Sequence, residues 1–129
     1  VLFAIAFAAA LWPVTAILTP HTCVTKAQLA DVPPQGFTRD FQARATFFDR
    51  DFAFSDAYFG ETNGQQELLE RKGERWCVVP FSGTYFDEPT LVRLGVPKPV
   101  ARRFRLEAGR YLQALVPYRT RADKAVDRP

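Results

Sequence analysis

The stretch FAFSDAYF, residues 52–59, constrains the fold more than any other part of the chain. Phe52, Phe54 and Tyr58 recur with period two, and Ala53, Ser55 and Ala57 fill the alternate positions. Successive side chains of an extended chain point to opposite faces, so this is a strand with one large face and one small face. A sheet built from such strands has to bury its large face under other elements.

The flanking residues extend the pattern. FQARATFF, residues 41–48, has the same aromatic and small-residue texture, and Asp49-Arg50-Asp51 between the two runs reads as a hairpin corner. GETNG, residues 60–64, is turn chemistry, with Asn63-Gly64 as the tight-turn dipeptide. Residues 65–72 read as a strand, although adjacent Leu68 and Leu69 break the alternation and leave a short helix open. Lys72-Gly73-Glu74 makes the next corner, and RWCVV, residues 75–79, is a short strand anchored by Trp76.

Helical signals follow. In residues 87–95 Asp87 is an N-cap, Pro89 sits in the first turn and Gly95 is a stop. From residue 96 onward Val100, Phe104, Ala108, Tyr111, Leu112 and Leu115 recur at helical spacing, until Pro117. The expected fold is α+β: a four-stranded antiparallel β-meander packed against C-terminal helices, after an N-terminal signal or anchor segment. The core has the material it needs, since 47% of the 129 residues are hydrophobic and twelve are Phe.

Four segments are expected along the chain. Residues 1–18 carry no charge and read either as a secretory signal peptide or as a membrane anchor. Residues 19–36 read as a connecting arm, broken by Pro33-Pro34. Residues 37–116 form the α+β domain, and residues 117–129 a basic disordered tail. A signal or anchor implies a periplasmic or extracellular location, with membrane anchoring as the variant. In such an oxidising compartment Cys23 and Cys77 read as a disulfide; two separate buried thiols are the alternative.

The net charge of +3 is unevenly spread. Residues 98–129 hold nine Lys and Arg against three Asp and Glu, which makes the C-terminal end basic. Arg102, Arg103, Arg105 and Arg110 are the candidate basic surface, suited to an anionic membrane surface or an acidic envelope protein. Aromatic residues are not interleaved among these cations, so nucleic acid is not expected as a partner.

The order of these signals resembles a pattern in small exported bacterial proteins of mostly unknown function, many cyanobacterial, with a related set labelled copper-uptake-system-associated. Gly60, Gly64, Gln65, Leu68, Leu69, Gly73, Trp76, Gly83, Leu94, Gly95, Val96 and Pro97 carry the resemblance, which covers about residues 40–106. Where those proteins have Gly-Gly, this chain has Asn63-Gly64. The resemblance implies a shared scaffold and, through the copper label, a metal-handling alternative.

Catalytic and metal chemistry is thinly provided. His21 and Cys23 are weak metal candidates: a lone histidine, two cysteines and no methionine make a small ligand set. No Gly-x-Ser-x-Gly elbow occurs, and Asp49, Asp51, Asp56 and Glu61 read as turn and surface charges. GETNGQQ lacks the Lys-Ser/Thr of a phosphate loop. No catalytic residue and no cofactor is expected. The function expected is a non-catalytic binding or accessory module, with metal (copper) handling and membrane-surface attachment as alternatives. Its contact surface would be the uncovered sheet face or the pocket between sheet and helices.

Overall fold

A computed structural model of the chain describes residues 21–36, 38–60, 63–83 and 85–126. Among the described residues there are six strands: β1 (Cys23–Thr25), β2 (Val32–Gln35), β3 (Gln42–Asp49), β4 (Phe52–Phe59), β5 (Asn63–Lys72) and β6 (Arg75–Val78). Two helices follow, α1 (Glu88–Arg93) and α2 (Lys98–Val126). The α+β character agrees with expectation, but the four-stranded meander does not: β3 to β6 are consecutive neighbours within a larger sheet. The sheet is six-stranded and antiparallel, in the order β1-β6-β5-β4-β3-β2, and forms a half-barrel packed against the two helices.

Both additional strands come from the segment expected as a connecting arm. β1 adds to the β6 edge and β2 to the β3 edge, so consecutive strands lie at opposite ends of the sheet. Strands this short, one of them containing Pro33 and Pro34, give no alternation to detect. Proline is tolerated because β2 is an edge and needs amide donors on one side only.

Their connection explains the curl. Six strands at about 4.8 Å spacing would put flat edges about 24 Å apart. Only Lys26–Asp31 joins β1 to β2, and Ala27–Leu29 within it is a 3₁₀ turn advancing about 2 Å per residue. So short a link spans the sheet only if its edges approach one another. Leu29 is fully buried under this strap, against Val24, Ala53, Leu69, Trp76 and Val78.

The large face of the meander lies under the helices, as its pattern requires. Phe54 packs between Phe104 of α2 and Phe86 before α1, with ring centroids 5.9 and 5.7 Å away. Leu68, Leu91, Val96, Val100 and Ala108 complete this core. Leu68 and Leu69 are both fully buried. One faces the helices and the other the strap, which is why a true strand breaks the alternation there.

Two turn assignments divide. Arg50 and Asp51 make the β3–β4 corner, with Arg50 at φ 55°. Asn63-Gly64, by contrast, lies inside β5, opposite Phe59 and Tyr58. A Cβ at Gly64 would come within 3.1 Å of the Tyr58 ring, so the missing side chain there makes room for a cross-strand tyrosine.

α1 begins as expected, with Asp87 accepting the Thr90 amide at 2.8 Å. In α2 Val100, Phe104, Ala108 and Leu115 are buried, whereas Leu112 is 42% exposed. The helix does not stop at Pro117 but continues to Val126, where a disordered tail was expected. Residues 127–129 lie outside the described residues.

Residues 1–18, expected as signal or anchor, are also outside them. Among the described residues no helix is long and apolar enough to cross a membrane. α2 has the length, but Lys98, Arg102, Arg103, Glu107 and Arg110 make it too polar. The membrane-anchored variant of the expected periplasmic or extracellular location is corrected to that extent: the described residues provide no membrane-spanning helix.

Candidate functional site

Cys23 and Cys77 are register partners across β1 and β6 and form a disulfide with S–S 2.06 Å. This pairing decides between the two readings of the cysteines. It also consumes the Cys23 sulfur, leaving His21 as the sole free ligand of the weak metal pair. The recess there, about 140 Å³ and bounded by His21, Glu70, Lys72 and the disulfide, is small for an organic ligand. Among the described residues no group of three or more His, Cys, Asp and Glu side chains is placed to hold a metal ion.

The four expected basic-surface residues lie along α2 and are not brought to one site. Arg102 pairs with Glu88 of α1 at 3.3 Å. Arg103 holds Glu107 on its own helix at 3.1 Å and reaches Asp49 of β3 at 3.2 Å. The Arg105 guanidinium lies 4.7 Å from the Tyr85 ring centroid and donates to its hydroxyl. Arg110 makes no ion pair among the described residues; exposed itself, it lines the mouth of a cleft beside α2.

That cleft, about 610 Å³, opens between edge strand β2, its neighbour β3 and α2. Val32, Pro33, Pro34, Ala45 and Phe47 form its apolar walls. Its polar groups are Asp31, Arg44, Glu107, Arg110 and Tyr111. Asp31 is held at the end of the strap, where Oδ1 accepts the Thr46 amide at 2.9 Å. Glu107 is occupied by Arg103.

Arg44 is the floor. It is 2% exposed, and its Nη1 donates to the Gln28 carbonyl of the strap at 3.5 Å. Burial draws its pKa down from the usual arginine range, and the guanidinium remains charged. Tyr111 is wedged between Phe47 and Tyr58, with ring centroids 6.4 and 6.2 Å away. Its hydroxyl is buried without a hydrogen-bond partner among the described residues. Burial, reinforced by the Asp56 and Asp31 carboxylates, pushes its pKa well up, so it stays protonated.

Asp56 lies one strand behind the cleft, in register with Ala45, and is 1% exposed. Burial raises its pKa to about 6; Gln66, Tyr58 and the Arg105 charge draw it only partway back. Among the described residues neither carboxylate oxygen has a close hydrogen-bond partner. The expectation of a surface charge is therefore corrected. The signal was available: Asp56 falls between Phe54 and Tyr58 on the parity of the buried face. Arg44 went unremarked inside the small-residue run of β3, where a lone charge among alanines was the only cue.

No protein-family model, curated protein or solved structure matches the chain.

Proposed function

We propose that the protein is a non-catalytic binding module and that its ligand occupies the cleft between β2, β3 and α2. The observation that carries this reading is the convergence of volume and buried polarity. A space of about 610 Å³ with apolar walls has Arg44 and the unsatisfied Tyr111 hydroxyl built into it. Buried polar groups cost stability unless something is gained from them. The single histidine stands beside β1, at the opposite edge of the sheet, so no base and nucleophile are paired in the cleft. Kinship with the small bacterial proteins that the sequence resembles belongs to the same proposal. The residues that carry that likeness lie in turns, in β5 and in the core, and would preserve the scaffold under a different cleft. The cleft is preferred to copper handling and to membrane attachment because volume and buried polar groups coincide there among the described residues.

A thermal-shift screen of small molecules tests it. Glu107→Trp fills the cleft mouth from an exposed helix and sacrifices only a surface ion pair, worth about 0–1 kcal/mol. Ligands that raise the melting temperature of the wild type should leave Glu107→Trp unmoved. Ligands that stabilise both chains equally would place binding elsewhere.

A further inference from the structure

Resting on that reading, we infer that the cleft takes an organic anion: a carboxylate on an apolar, ring-bearing body, with the carboxylate at Arg110 and the body between Pro33, Pro34, Phe47 and Tyr111. The charges in the cleft decide its sign. Its two acids are already occupied, Asp31 by the Thr46 amide and Glu107 by Arg103. Of its two cations, Arg110 has no ion pair among the described residues, and Arg44 adds a fixed positive charge at the floor. Arg103 is itself shared between Glu107 and Asp49, so the guanidinium there without an ion pair among the described residues is Arg110. An anionic ligand reaches Arg110 directly, whereas a cationic one meets only carboxylates that already hold a donor.

The walls decide the rest of the ligand. Pro33 and Pro34 of the edge strand line the cleft together with Phe47 and Tyr111, surfaces that favour flat apolar groups over a hydrated ion. Arg110 suits a carboxylate because its planar fork can donate two parallel hydrogen bonds. Its exposure at the mouth lets the polar end of the ligand stay near water while the body is covered.

Amide-resolved NMR titration of the oxidised protein tests this with three matched probes: 4-phenylbutyrate, 4-phenylbutan-1-ol and 4-phenylbutylamine. The carboxylate should shift the amides of residues 31–32, 44–47 and 107–111 saturably, and bind about tenfold or more tightly than the other two. Arg110→Ala, an exposed substitution, should abolish that preference while leaving the alcohol's weak binding unchanged. If the alcohol or the amine binds in the cleft as tightly as the carboxylate, the anion inference is wrong and the binding reading survives. If none of the three moves the cleft amides, the inference is wrong; the binding reading falls too only if a broad fragment library also leaves those amides unmoved.

Discussion

Asp31 Oδ1 accepts the backbone N–H of Thr46 at 2.9 Å, fastening the strap that joins the two edges of the sheet. Val32 already pairs with Arg44 in the β2–β3 ladder. The next outward-pointing amide of β3 lies beyond the end of β2, and a side chain takes the place of the missing backbone carbonyl. One hydrogen bond therefore ends the ladder, positions Asp31 at the cleft, and satisfies a buried donor.

Asp31→Ala should cost about 1–3 kcal/mol, because the Thr46 amide is left buried and unpaired. Asp31→Asn keeps an acceptor oxygen and should recover most of that loss. Urea unfolding of the two variants checks this, and equal losses would mean that the carboxylate charge matters more than the hydrogen bond.

The disulfide closes 54 residues of sequence between β1 and β6. In the chain-entropy account, replacing both cysteines with serine should cost on the order of 4 kcal/mol. The loss should also be local. Hydrogen exchange should accelerate first in residues 23–31, the short edge strand and its strap, ahead of β3 to β5. Uniform acceleration across the sheet would show that the crosslink acts only on global stability.

Asp56 makes stability depend on pH. Its folded pKa is about 6, against 3.8 for the free side chain. Between those values the folded chain keeps a proton that the unfolded chain has released, so stability falls as pH rises from about 4 to 6, and is level above. The full difference is about 3 kcal/mol. Asp56→Asn should therefore melt higher than the wild type at pH 8 and nearly with it at pH 4. Parallel pH profiles for the two proteins would contradict the assignment.

The two faces of α2 should respond differently to truncation. Phe104→Ala opens a cavity against Phe54 and should cost about 3–5 kcal/mol. Leu112→Ala removes a side chain that is 42% exposed and should cost less than about 1 kcal/mol. Chemical denaturation of both variants measures the contrast.

Particular residues show why some of this architecture is readable in the sequence and some is not. Period-two alternation in residues 52–59 identifies β4 and its buried face, and Asp87 with Pro89 identifies the start of α1. These signals are local: a side chain and its near neighbours determine them. β1 and β2 are three and four residues long and exist through pairing with partners distant in sequence. No periodicity develops over such lengths. Asn63-Gly64 has turn chemistry, yet Gly60 at φ 68° already turns the chain after β4 and Asn63-Gly64 enters the strand. The cleft is hardest to read because its residues come from the strap, β2, β3 and α2, and only the packing of α2 on the sheet brings Arg44 and Tyr111 together.

The most direct test of the account is an amide-resolved NMR map of a chemically diverse fragment library on the oxidised protein. The account requires the perturbations to converge on residues 31–32, 44–47 and 107–111, around Arg44 and Tyr111. Perturbations converging elsewhere, or scattered with no convergence, would contradict the claim that this cleft is where the protein binds.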